Sequence, residues 1–201
     1  PYIIEMENLI FLVLGGNNFS GQIPIEVENL INLEEFNLWG NNFSGEIPIE
    51  IGNLVSLQRL WIEGNNFSGQ IPESLSDLEN IYSINISYNQ FSGLIPDSIC
   101  DLGLDWSQWD NQVTNGLQNN NFCPPYPNCL SEIEIGYQDT SECLDCSNLS
   151  GDINNDNILD ILDIVFTVNC ILTQSCDFCS DMNNDDIINI QDIILMIGEV
   201  L

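Results

Sequence analysis

The sequence predicts an α/β solenoid of short parallel strands with an irregular or helical convex side, followed by a small all-α unit made of a duplicated loop and helix. Three observations predict it. The octapeptide NNFSGQIP at Asn17–Pro24 returns as NNFSGEIP from Asn41, NNFSGQIP from Asn65 and NQFSGLIP from Asn89, 24 residues apart each time. An alternating apolar pair precedes each copy: Leu12/Leu14, Phe36/Leu38, Leu60/Ile62 and Ile84/Ile86. A second repeat, offset by 29 residues, relates Asp152–Asp163 to Asp181–Asp192. Fixed periods of this size mark stacked structural units.

Residues 1–98 carry the regular repeats. Each apolar pair reads as a three-residue strand with two side chains in and one out. A coil that turns back this often leaves backbone groups on its inner bends, and Asn17, Asn41, Asn65 and Asn89 form an inner ladder that satisfies them. Phe19, Phe43, Phe67 and Phe91 stack as an apolar spine. Gly21, Gly45, Gly69 and Gly93 allow a positive-φ turn, and each Ile-Pro pair sets an extended return. Segments such as Ile25–Leu33 and Ile49–Leu57 form the convex side. Met6 and Leu9 align with Leu30 and Leu33, so Pro1 falls inside a repeat; the expectation is a mature, trimmed or fragmentary chain without an N-terminal cap.

The unit resembles the leucine-rich repeat of plant extracellular type, LxLxxNxFSGxIP. That resemblance implies a concave binding surface at the outward strand positions. Here these are Phe11, Val13 and Gly15; Glu35, Asn37 and Trp39; Arg59, Trp61 and Glu63; and Ser83, Asn85 and Ser87. Trp39, Arg59 and Trp61 make the most distinctive patch, since aromatics beside polar groups stack on sugars or anchor a protein partner.

Residues 99–147 read as a disulfide-stapled cap and linker. Asn120, Phe122 and Pro127 echo Asn89, Phe91 and Pro96 after 31 residues, within NNNFCPPYPNC. A stretched last coil of this kind closes the apolar end, after the Trp106/Trp109 pair. Cys100, Cys123, Cys129 and Cys143 are local disulfide candidates with pairing left open. The linker is expected over Gln138–Leu149.

Residues 148–201 form the second domain. Asp152, Asn154, Asp156, Asp160 and Asp163 occupy positions 1, 3, 5, 9 and 12 of a loop, and Asp181, Asn183, Asp185, Asn189 and Asp192 repeat them. With the carbonyls of Ile158 and Ile187 at position 7, each set suits one calcium ion. Carboxylates this close repel each other, so metal is expected to drive folding. Each loop enters a helix whose apolar residues share one face: Ile161, Ile164, Val165, Val168 and Leu172, then Ile190, Ile193, Ile194, Ile197 and Leu201. The two faces are expected to pack together. The duplication resembles a type I dockerin, which implies docking onto a cohesin-like scaffold. Asn157 and Asp186 replace the usual loop glycine, and Ile161/Leu162 and Ile190/Gln191 stand where polar recognition residues are frequent.

The chain has 31 Asp plus Glu, one basic residue, Arg59, and no His, for a net charge of -30. This argues against nucleic-acid or phosphate binding and removes His-based triads and His metal sites. Eight Cys point to an oxidising compartment. No apolar run reaches transmembrane length, so membrane insertion is not expected. Five N-x-S sequons, at Asn18, Asn42, Asn66, Asn85 and Asn148, are glycosylation acceptors in a host with the machinery.

Together these features predict a non-catalytic, calcium-stabilised, secreted or cell-surface interaction protein. Its repeat face binds a protein or glycan and its tail docks on a cohesin-like scaffold. The alternative is a fibre or surface-layer subunit whose tail packs on the open repeat end of another copy of itself, with calcium as the switch.

Overall fold

The computed structural model describes residues 3–107, 115–141, 143, 151, 158–173, 182 and 188–201. The chain divides into two units, Pro1–Cys143 and Leu144–Leu201. In the first, each alternating apolar stretch contributes one strand to a parallel ladder. β1 (Phe11–Val13), β3 (Glu35–Asn37), β5 (Arg59–Trp61) and β7 (Ser83–Asn85) pair in that order, with Leu12, Phe36, Leu60 and Ile84 in register. The strands lie one residue earlier than the apolar pairs suggest. One side chain of each points inward, and Leu38, Ile62 and Ile86 are buried just beyond the strand end. The backbone is already turning there, through left-handed Gly16, Gly40 and Gly64.

A second parallel ladder was not legible in the sequence, because Ser-Gly reads as a turn. It joins β2 (Ser20–Gly21), β4 (Asn42–Gly45), β6 (Asn66–Gly69), β8 (Gln90–Leu94) and β9 (Asn121–Cys123). On the convex side a short 3-10 turn follows the proline of each repeat, at Ile25–Asn29, Ile49–Asn53, Glu73–Asp77 and Asp97–Leu102. Proline fixes φ for the extended entry and supplies the carbonyl that the turn bonds to. The Met6 N–H bonds to the Ile3 carbonyl and the Leu9 N–H to that of Met6, the pattern of Leu30 and Leu33, as their alignment predicted.

The asparagine ladder runs through the bends. The Asn65 amide donates to the carbonyls of Leu38 (2.9 Å), Ile62 (3.1 Å) and Glu63 (3.3 Å), and its oxygen accepts from the Phe43 N–H (2.9 Å). Asn41, Asn89 and Asn120 repeat the arrangement. Gln138 continues it: its amide donates to Leu117 (3.0 Å) and Ile135 (2.9 Å) and its oxygen accepts from the Phe122 N–H (3.3 Å). Gln138 therefore belongs to the cap, not to the linker that the sequence assigned from this residue. Phe43, Phe67, Phe91 and Phe122 stack with ring centroids 6.2–6.3 Å apart, while Phe19 is exposed.

The cap is stapled by Cys100–Cys129 and Cys123–Cys143. The Leu130 N–H bonds to the Pro127 carbonyl at 3.0 Å, as the corresponding residue does after each repeat proline. A single helical turn, α1 (Glu132–Ile135), begins at a Ser131–Glu134 capping box. Trp106 is buried; Trp109 lies outside the described residues.

In the second unit α2 (Ile161–Thr173) and α3 (Ile190–Val200) form as the apolar spacing predicts. Among the described residues, the face they bury overlaps the predicted one only at half-buried Ile164 and Ile193. Asp163, Thr167, Asp192 and Met196 are buried, and the Thr167 hydroxyl lies 3.2 Å from the Met196 sulfur. Ile161, Val165, Val168, Ile190, Ile194 and Ile197 are exposed. The third helical residue turns its carboxylate back onto the preceding loop, and this fixes the rotation of each helix.

Asn65→Ala leaves the Phe43 N–H without its acceptor in a buried bend and takes one of two amide donors from the Leu38 and Ile62 carbonyls, which keep Asn41 and Asn89. A loss on the order of 3 kcal/mol is expected in urea unfolding, against less than about 1 kcal/mol for exposed Asn17→Ala.

Candidate functional site

The outward positions of the concave ladder form a grid. Arg59 stands between Glu35 and Ser83, and Trp61 between Asn37 and Asn85. The ladder continues past the strands, because the Gly40 N–H donates to Glu63 and the Gly64 N–H to Ser87. Trp39 therefore stands beside Glu63, and Glu63 beside Ser87. Adjacent coils are about 4.8 Å apart, and residues two apart on one coil share a face.

Trp39 lies over Gly15 and Gly16, where an added Cβ at Gly15 would collide with the indole. Glycine here provides the bed for one edge of the ring, and Trp39 keeps 47% of its surface exposed. Trp61 is half-buried and its indole N–H donates to the Ser83 hydroxyl at 2.8 Å. Arg59 is held firmly. Its Nε and Nη2 donate to one Glu35 oxygen at 3.1 and 2.6 Å, and Nη1 donates to the Tyr82 hydroxyl at 2.6 Å. The guanidinium carbon also lies 5.8 Å from the ring centroids of both Trp61 and Tyr82.

The structure revises the predicted face in two respects. Asn37, Ser83, Asn85 and Ser87 are buried, not open. Trp61 covers Ser83, and the Asn85 oxygen accepts from the Ser87 hydroxyl (2.6 Å) where Gly116 of the cap extends the ladder. Arg59 is turned toward Glu35 and Tyr82, so the residue next to both Trp39 and Trp61 is Glu63. Sequence reasoning placed Glu63 on the face without singling it out and missed Tyr82; the register alone would have aligned Glu63 with Trp39. Glu63 Oε2 is buried without a hydrogen-bond partner among the described residues. Burial raises the carboxyl pKa above its usual 4.5, partly offset by its own backbone N–H.

Of the sequons, Asn18, Asn42 and Asn66 are exposed at the same repeat position along the second ladder. Asn85 is 3% exposed with its oxygen already engaged, which removes it as an acceptor in the folded chain. Asn148 lies outside the described residues.

Of the predicted calcium ligands, Asp152, Asn154, Asp156, Asp181, Asn183, Asp185 and Ile187 also lie outside them, as do Cys146, Cys176 and Cys179. The described members converge on the helix starts. Asp163 accepts from the Asp160 N–H at 2.9 Å, and Asp160 from the Leu162 N–H at 2.7 Å. Asn189 caps α3 by accepting from the Gln191 N–H at 2.8 Å. Asp192 accepts from the Asn189 N–H at 2.8 Å and from the Met182 N–H, at the second loop position, at 2.9 Å. Ile158 is exposed. In the second loop position 12 therefore ties the start to the end, which is compatible with oxygen donors converging on a cation.

Residues 8–30, 32–54, 56–78 and 80–102 match the Leucine Rich Repeat family model, and the chain carries four leucine-rich repeats there. The fold is similar to plant receptor ectodomains. One is the leucine-rich-repeat ectodomain of the Arabidopsis thaliana membrane receptor kinase GASSHO1/SCHENGEN3, in complex with Casparian strip integrity factor 2. Identity is 36% and the TM-score 0.53, over 60% of this chain and 14% of that one. Another is the Arabidopsis receptor kinase HAESA ectodomain with an IDA peptide hormone ligand, at 35% identity and TM-score 0.55, covering 67% and 22%. The PEPR1–AtPEP1 structure matches at 29% and 0.57, covering 68% and 18%. The chain thus spans less than a quarter of the length of these three receptors. No curated protein sequence matches significantly. Among the described residues no helix is long and apolar enough to cross a membrane.

A carboxyl whose pKa is raised on folding destabilises the fold wherever it is ionised. For Glu63 that cost is present above its folded pKa and vanishes as pH falls through the ordinary glutamate range. Glu63→Gln is therefore expected to raise Tm at pH 7, and melts at about pH 3 should show no difference. An unchanged Tm at pH 7 would mean that water reaches the carboxylate.

Proposed function

We propose that this chain is a non-catalytic extracellular interaction protein. Its leucine-rich concave face binds a protein partner, and its calcium-loaded, dockerin-like tail attaches it to a cohesin-like scaffold. The observation that carries this is the Trp39–Trp61 surface, large aromatic area held rigidly at the centre of a concave ladder, the composition of an interface anchor. Solved ectodomains of the same fold are complexes with a peptide hormone or another protein. The two cystines fit an oxidising compartment. The absence of His and the single basic residue leave little acid–base or nucleophile chemistry to assign. Exposed Asn18, Asn42 and Asn66 form a row of glycan acceptors on a flank away from the concave face.

Calcium is assigned to the tail on donor chemistry. Asp152, Asn154, Asp156, the Ile158 carbonyl, Asp160 and Asp163 would hold one ion. Asp181, Asn183, Asp185, the Ile187 carbonyl, Asn189 and Asp192 would hold the second. The exposed apolar face of α2 and α3 supports the scaffold-docking part of the proposal, since contiguous apolar surface of this kind marks a protein contact.

Panning a random 12-residue peptide display library against the protein should yield binders that are lost with both Trp39→Ala and Trp61→Ala. Binders indifferent to both substitutions would move the partner site off the concave face. Calcium is expected to raise the melting temperature and helical circular dichroism of the C-terminal unit. Chelator should reverse this, and Asp163→Asn with Asp192→Asn should abolish it while the repeat transition stays unchanged. A tail equally helical and equally stable in chelator would overturn the calcium assignment.

A further inference from the structure

The concave face holds one guanidinium already, and the way it is held is informative. Arg59 is bound by a carboxylate, Glu35, and by the rings of Trp61 and Tyr82, each 5.8 Å away. Carboxylate plus aromatic faces is a cation site in which charge-assisted hydrogen bonding and cation–π attraction act together. The same chemistry recurs at the next position of the grid. Glu63 follows Trp61 by two residues on one coil and stands beside Trp39 of the preceding coil. The chain's one basic residue is engaged at Glu35. Glu63 Oε2 is buried without a hydrogen-bond partner among the described residues, and Trp39 presents an open ring surface.

We propose that the notch formed by Trp39, Glu63 and Trp61 receives an arginine or lysine side chain from a basic segment of the partner, with Glu63 as its counter-ion. This deepens the partner-binding role of the concave face and rests on it. Charge complementarity selects the occupant. The chain carries -30 with one basic residue, and that residue is neutralised by Glu35, so an acidic or carboxylate-ended ligand has no free cation to meet on this face. A cationic side chain would pair with the half-buried Glu63 carboxylate from the open side and place positive charge against the indoles. A lone carboxylate flanked by indoles is too poor in oxygen donors for a hard metal ion, which leaves an organic cation.

The test uses the whole chain and two acetylated, amidated peptides of sequence Gly-Ser-Arg-Gly-Ser-Arg-Gly-Ser, one with both arginines replaced by neutral citrulline. Affinities are read by tryptophan fluorescence at physiological salt. The arginine peptide should bind about tenfold tighter than the citrulline peptide. Glu63→Gln should erase most of that preference, while Glu79→Gln, which removes the same charge from an exposed site, should keep it. Equal loss in the two variants would show bulk attraction to an acidic protein and overturn the proposal. Equal binding of the two peptides would also overturn it. Library binders that need Trp39 and Trp61 but carry no Lys or Arg would refute the cation notch while leaving the concave face as the partner surface. Library binders indifferent to both tryptophans would remove that surface itself.

Discussion

A backbone that closes a coil every 24 residues must bring carbonyl and N–H groups to the inside of each bend, out of reach of water. The fold depends on how those groups are paired. One asparagine amide per coil donates to carbonyls of its own coil and the one before, and its oxygen accepts an N–H from the preceding coil. Each rung is thus an intercoil bond, and the ladder fixes the repeat-to-repeat spacing. The phenylalanine stack and the two strand ladders follow from that spacing. Substituting glutamine at the last rung shows what is selected: an amide reaching the bend, whatever the length of its side chain.

The regular spacing turns the concave face into a chemical grid where side chains 24 residues apart are neighbours. Glu35 neutralises Arg59, so the lone basic residue belongs to the scaffold of the face and not to its binding charge. Trp39 spreads over two glycines of the previous coil, and Trp61 closes over Ser83. Glu63 stands beside Trp39 in register, with one buried oxygen that has no hydrogen-bond partner among the described residues. Toward the cap the face fills in, because the ladder extends to Gly116 and buries Asn85 and Ser87.

In the second unit helix rotation is set by the ends and not by the apolar stripe. Asp163 and Asp192 occupy the third helical position and turn back to accept N–H groups of the loop. Once a carboxylate is buried there, the residues a turn along, Thr167 and Met196, face inward with it. Most of the isoleucine-rich stripe then faces outward, with Ile164 and Ile193 half-buried at its edge. A stripe of that kind on a helix otherwise means core, and here it leaves contact area for a partner.

The sequence by itself determined the solenoid, its period, the identity of the rungs at Asn41, Asn65, Asn89 and Asn120, the spine and the capping coil. These repeat locally, and a local pattern copied four times survives any tertiary context. It also located the aromatic patch, through register. What only tertiary structure decided depends on neighbours distant in sequence: Gln138 as a rung, the second ladder, the pairing of Cys100 with Cys129 and Cys123 with Cys143, and the closure of Asn85. The same holds for the pairing of Arg59 with Glu35 and for the burial of Glu63, which the register placed on the face without a role. Charge identifies both residues in a sequence, but solvation and partner geometry decide which one is satisfied within the fold.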